Sequence, residues 1–302
     1  MSEYLGIIGR RLDRAKKQFE ELGREADSFI DSDAVQLIRV AKREGEEMVT
    51  TFTLEVNKAI PDHLRLIFGD SINNMRSACD NFVVQLGNDR RITKPGGGVV
   101  QEKELQFPVF RDRRKFEQFK KKFVFAQGIA EVLESVQPYN PYVNKYGRQF
   151  VDEFHPLHVA SELWNVQKHR LPLKIVGITP QSTIESNGLA MVSNASNVVT
   201  QATFNVRYKE EDHMEWRTVA KAELMTGNVV ESGKEYAKIS VPLSEAKRQA
   251  ESQVLIVMVL AEGSPAPGAP AVQLLGDLHG YITQQIYDRL APFCALDSKG
   301  GK

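Results

Sequence analysis

The spacing at which apolar residues recur changes partway along the chain, and that change limits the folds open to it. Leu5, Ile8, Leu12, Ala15, Phe19, Leu22 and Ala26 lie three or four residues apart, which draws one apolar seam along a helix from about Glu3 to Phe29. Leu64, Phe68, Ile72, Met75, Cys79, Phe82 and Leu86 repeat the pattern after Pro61-Asp62, a helix-opening pair, and Gly87-Asn88 is expected to end that helix. Shorter helices are expected around Phe116 to Phe123, Ile129 to Val136 and Pro156 to Lys168. Past Arg170 the pattern turns to β-branched and alternating runs. Strands are expected at Leu173 to Ile178, Ala190 to Ser193, Val199 to Tyr208, Trp216 to Leu224, Tyr236 to Val241 and Val254 to Leu260. Thr226-Gly227-Asn228 and Ser232-Gly233-Lys234 are short turn-like connections that favour antiparallel neighbours, because parallel strands need long crossovers.

Two elements break this division. Ala34 to Val56 reads as a β-hairpin about Arg43-Glu44-Gly45-Glu46, and Val272 to Phe293 reads as a closing helix with Leu275, Leu278, Ile282, Ile286 and Leu290 on one side. The expected class is therefore α+β: a mostly helical region 1–170 containing the hairpin, and an antiparallel β-rich region 171–302 closed by its C-terminal helix. The first seam is read as an intramolecular helix contact, since Gly9 and Gly23 interrupt it; dimerisation through it stays open. Lys94 to Val100, with Pro95 and Gly96 to Gly98, reads as a loop. It lacks the Gly-Lys-Ser/Thr ending of a phosphate-binding P-loop.

Composition excludes several function classes. Of 302 residues, 42% are apolar and 26% charged, values of an ordinary folded domain. Basic and acidic residues balance at 39 each, so attraction to nucleic acid or anionic lipid requires a local patch. Cys79 and Cys294 are too few and too distant for a disulfide framework or a zinc finger. No apolar run is long enough to span a bilayer, and Met1 to Arg14 holds no continuous apolar core of an export signal. A cytoplasmic location without membrane contact, cofactor or metal is the expectation.

Chemistry is concentrated in two places. On the helix beginning near Pro61, Asp70, Asn73, Asn74, Arg76, Ser77, Asp80 and Asn81 occupy the side opposite or flanking the apolar stripe. Short polar side chains are poor helix formers, and a plain solvent face normally carries Glu, Lys and Gln. Either Arg76 and Asp80 form an exposed i to i+4 ion pair with the amides bonding neighbouring segments, or these groups line a cleft for a polar ligand. The second place is Lys168-His169-Arg170, at the end of a helix. Those basic groups either complement the helix dipole or supply anion binding and proton transfer.

Gly69-Asp70, Asn74 to Asn81, Phe107-Pro108, Gln137-Pro138-Tyr139 and Lys168-His169-Arg170 together resemble an uncharacterised bacterial protein family. Its members pair a helical N-L-R-S-A-L-D-H segment with a later D-K-H-R segment. The resemblance spans about residues 60–175 and implies a bacterial cytoplasmic protein, with no established activity. The spacing from the arginine in that helix is also similar to the Arg-x4-6-His motif of the HEPN superfamily, helical ribonucleases of toxin and phage-defence systems. That likeness implies a phosphate-stabilising Arg76, but Asn81 stands where the histidine belongs. An amide carries no proton for acid–base catalysis, so cleavage would need His169 instead, oriented by Asp80. On this reading Asn73, Ser77, Asn81, Lys168 and Arg170 bind ligand around Arg76, Asp80 and His169.

Other features carry weaker signals. Arg111, Arg113, Arg114, Lys115, Lys120, Lys121 and Lys122 form a basic stretch, read as a solvated face or an RNA contact, with Phe116, Phe119 and Phe123 assigned to the core. His155, His158, Glu153 and Glu162 lack the His-Glu-x-x-His order of a metal site, which favours helix capping. Cys79 sits on the apolar stripe as a small hydrophobe. Two functions survive: a non-catalytic module that binds or assembles with an RNA or protein partner, or a diverged HEPN-like ribonuclease of a defence or stress system.

Overall fold

The computed structural model describes residues 3–144, 147, 149–167, 173–178, 184–186, 189–191, 202–209, 216–224, 235–242, 255–261 and 263–295. In chain order the elements are α1 (Glu3–Ile30), β1 (Val35–Glu44), β2 (Glu47–Val56), α2 (Asp62–Asn88), β3 (Ile92–Thr93), α3 (Arg113–Lys120), β4 (Val124–Phe125), α4 (Ile129–Ser135), β5 (Tyr142–Val143), β6 (Gln149–Phe150) and α5 (Pro156–Gln167). They continue with β7 (Leu173–Ile178), β8 (Ile184–Ser186), β9 (Leu189–Met191), β10 (Ala202–Lys209), β11 (Trp216–Leu224), β12 (Glu235–Pro242), β13 (Leu255–Leu260), α6 (Ala271–Tyr281) and α7 (Asp288–Ala295). A π-helical turn, Ile282–Tyr287, makes α6 and α7 one continuous helical stretch. The protein is α+β, with antiparallel pairing throughout its described sheets.

The chain divides into two units, and neither is continuous in sequence. One comprises 1–23, 62–172 and 263–302; the other comprises 24–61 and 173–262. The boundary expected near residue 170 coincides with one junction, but the hairpin and the closing helix are each found in the unit opposite to the one expected. The physical reason for the hairpin is its free edge. An isolated two-stranded ribbon is marginal in water, and β2 pairs with β12 from Ala237↔Phe52 to Pro242↔Glu47. The described strands of that sheet run in the order β1-β2-β12-β11-β10-β9-β8, and β7 pairs separately with β13.

In the helical unit α2 is the axis. Leu64, Phe68, Ile72, Met75, Ala78, Cys79, Phe82, Val83 and Leu86 are all buried, a wider apolar face than one stripe, because α5, α6 and α7 all pack against α2. The α1 seam is buried at Leu5, Ile8, Leu12, Ala15 and Leu22. Ser71, itself buried, donates its hydroxyl to the carbonyl of Ala15 at 3.0 Å, fixing α1 against α2. The closing helix meets α1 as well, with His279 Nε2 3.0 Å from the Leu12 carbonyl and its ring edge-on to Phe19.

α2 closes at Gly87-Asn88, where the sequence places its end. Gly87 and Asn88 remain helical, and Arg90 takes the left-handed turn at φ 55° while the Arg91 N–H reaches back to the Leu86 carbonyl at 2.8 Å. Gly87 also serves a close approach: a Cβ there would overlap the Leu105 side chain.

Candidate functional site

Arg76 and Asp80 are one helical turn apart on α2, which brings Arg76 Nη2 to 3.0 Å from Asp80 Oδ1. The pair is not the exposed one expected, since the side chains are 11% and 28% accessible. Both grip the backbone of Phe107: Arg76 Nη2 donates to its carbonyl at 2.9 Å, and its N–H donates to Asp80 Oδ1 at 2.8 Å. The guanidinium carbon also lies 5.6 Å from the centroid of the Trp164 ring, a cation–π contact with α5.

Gln137, fully buried, continues the clasp. Its Nε2 donates to the carbonyls of Pro108 and Leu133 at 3.0 and 2.8 Å, and its Oε1 accepts from the Phe110 N–H at 2.9 Å. Among the described residues, the segment around Phe107-Pro108 has no strand partner to satisfy its backbone. These three side chains supply the hydrogen bonds that burial demands. Phe107-Pro108 and Gln137-Pro138-Tyr139 thus share with Arg76 and Asp80 a role in holding a loop.

The N-terminal half of the same polar face does something different. Asp70, Asn73 and Asn74 line an open groove of about 540 Å³ against Ile7, Arg10, Arg11, Arg14 and Gln18 of α1. Asn74 Nδ2 donates to Gln18 Oε1 at 2.9 Å and to the Asp70 carbonyl at 3.1 Å, while Asn73 Oδ1 accepts from Trp164 Nε1 at 3.3 Å. None of the three arginines makes an ion pair with a described residue, and Arg11 Nε is buried without a hydrogen-bond partner among them. Arg10, Arg11 and Arg14 were not among the sequence candidates. Their signal was the run Arg10-Arg11-Leu12-Asp13-Arg14, which puts cations on one flank of a helix whose other flank is the apolar seam.

The remaining candidates fall in several places. Ser77 and Asn81 are half-buried on α2 and make no side-chain hydrogen bond to a described residue. Lys168, His169 and Arg170 lie outside the described residues. In the basic stretch Arg111 pairs with Glu153, Arg113 with Glu134, and Lys120 with Glu117 and Glu134, so that face is partly neutralised. Phe116 is fully buried and meets Phe110, Phe119 and Tyr139, at the heart of an aromatic cluster that continues to Phe123 and Phe125. His155 is buried and caps α5, its Nδ1 accepting the Leu157 N–H at 3.2 Å. Burial pushes its pKa down to about 4. With Nδ1 an acceptor, the proton sits on Nε2, 3.5 Å from Tyr281 Oη, which in turn donates to the Val136 carbonyl. Burial likewise pushes the Cys79 thiol up to about 12, so it stays protonated and unreactive. Among the described residues no three His, Cys, Asp or Glu side chains are grouped to hold a metal ion, and no helix is long and apolar enough to cross a membrane.

What the geometry offers chemically is a loop clasp at Arg76 and Asp80 beside a cationic, donor-bearing groove between α1 and α2. Comparison of the chain with protein-family models, curated protein sequences and solved structures gives no match.

Proposed function

We propose that this protein is a non-catalytic binding module, housed in a bacterial cytoplasm, whose contact surface is the groove between α1 and α2. One observation carries the reading: the two α2 residues that a ribonuclease mechanism requires, Arg76 and Asp80, are both engaged on the Phe107 backbone, whereas Asp70, Asn73 and Asn74 line an open groove beside three arginines. An arginine that holds a loop is not free to follow charge developing on a phosphate, and Asn81 supplies no proton. Two buried cysteines without a disulfide are in keeping with a reducing compartment.

The alternative, a diverged HEPN-like ribonuclease, places catalysis on His169 with Arg76. Single-stranded and hairpin RNAs incubated with wild type, Arg76→Lys and His169→Ala decide between the two. The expected result is no cleavage above the buffer control for any of them. Cleavage by wild type that His169→Ala abolishes, with the fold intact by circular dichroism, would overturn the binding reading. Equal degradation by all three would indicate a contaminating nuclease.

A further inference from the structure

We propose that the groove between α1 and α2 binds a small phosphate-bearing molecule, a phosphomonoester of about sugar-phosphate to mononucleotide size. The inference rests on the binding reading above and names its ligand class.

The first argument is the imbalance of hydrogen-bonding groups. Gln18 Oε1 accepts from Asn74 and Asn73 Oδ1 accepts from Trp164, so both amides have their oxygens engaged and their N–H groups left over. Arg10, Arg11 and Arg14 add only donors, and the Nε of Arg11 is already desolvated without an acceptor. The Asp70 carboxylate and Asn74 Oδ1 are acceptors in the same lining, but its donors outnumber them, and a ligand rich in acceptors completes the surplus.

Charge selects among such ligands. Three guanidiniums against the single carboxylate of Asp70 leave a surplus of two positive charges in the lining. A phosphomonoester carries about −1.5 to −2 at neutral pH and presents three oxygens to which guanidinium forks bond in pairs. A carboxylate carries half that charge and a neutral sugar none.

Size and surroundings favour a small molecule over a polymer. A volume of about 540 Å³ falls within the range of small-molecule pockets. Beyond the groove α1 alternates in sign through Asp13, Lys16, Lys17, Glu20 and Glu21. A nucleic-acid strand needs a continuous basic track for its successive phosphates.

The test is titration of the full chain with inorganic phosphate, ribose 5-phosphate, ribose and a series of oligouridylates, followed by calorimetry and thermal shift, for wild type and Arg10→Gln/Arg14→Gln. Both substituted positions are exposed, so the variant's melting temperature without ligand should match wild type. Saturable binding of ribose 5-phosphate, absent for ribose and weakened at least tenfold in the variant, is the expected result. No saturable binding of either phosphate probe overturns the proposal, and equal binding by wild type and variant overturns its location. Oligouridylate affinity that rises with length and is lost in the variant overturns the small-ligand assignment in favour of RNA. RNA cleavage in the preceding assay would instead remove the binding reading itself, so the two failures are distinguishable.

Discussion

Arg76, a candidate for phosphate contact in the sequence, makes structural contacts in the fold. Its Nη2 bonds the Phe107 carbonyl while Asp80 holds the Phe107 N–H, so the ion pair closes a ring of hydrogen bonds around the backbone of one residue. Hydrogen bonds to charged groups contribute about 1.5–3 kcal/mol each, and an unpaired partner left half-buried adds to the loss. Arg76→Ala should therefore lower stability by about 2–4 kcal/mol in urea unfolding. Arg76→Lys, which keeps the charge but not the fork, should cost about half as much. A loss below about 0.5 kcal/mol for alanine would show that the clasp is idle. His155 yields a pH prediction. Its imidazole is held neutral down to about 4 from an ordinary 6.5, so between those values the unfolded chain binds a proton that the native protein does not. Its contribution is complete above about 6.5 and is lost as pH falls toward 4, a change of about 3 kcal/mol. His155→Asn retains an acceptor for the Leu157 N–H, so its stability should fall less steeply over that window; superimposable pH curves would refute the assignment. The i to i+4 pairing was legible in the sequence, because helical spacing alone dictates it. Its burial was not, since Phe107 lies 31 positions away from Arg76 and no local pattern announces which loop will cross the helix.

At the level of elements, local chemistry predicts type and extent well and pairing poorly. α1, α2, α5, β7, β11 and the closing helix follow directly from apolar spacing. The short pairs β3–β4 and β5–β6 are two residues per strand, too brief to leave a period, and β8 is only three. The end of α2 at Gly87-Asn88 was legible, but not the devices that make it: Gly87 accommodates Leu105, and Arg90 makes the left-handed turn. Gly128 is the contrasting case. It precedes α4 at φ 87°, where an L side chain is strained, and a Cβ would also meet the Phe293 ring at 3.1 Å. Gly128→Ala should destabilise the helical unit by about 1–2 kcal/mol. Calorimetric melting checks this, and an unchanged or raised midpoint would mean that the α4 entry relaxes without cost.

For the whole molecule, the interleaved connectivity decides what can fold alone. A chain cut at residue 172 separates the first two pieces of the helical unit from α6 and α7, and separates β1 and β2 from the strands that complete their sheet. The lost helical stretch buries Leu275, Leu278, Tyr281, Ile282, Ile286 and Leu290. At about 1.5–3 kcal/mol for each large apolar side chain, their removal forfeits about 10 kcal/mol or more, comparable to the entire net stability of a domain at about 5–15 kcal/mol. The fragment 1–172 should therefore lack a cooperative thermal transition even though it contains α2 and every residue of the groove and the clasp. Extending it is no remedy unless the closing helix is included, so 1–262 should fail as well. A direct linkage of 1–23, 62–172 and 263–302, with short Gly-Ser connectors in place of the excised pieces, restores the α2 neighbours and should melt cooperatively by circular dichroism. A sharp transition for 1–172 alone would mean that α6 and α7 are dispensable to the core around α2, and would contradict the packing on which the whole assignment of the site depends.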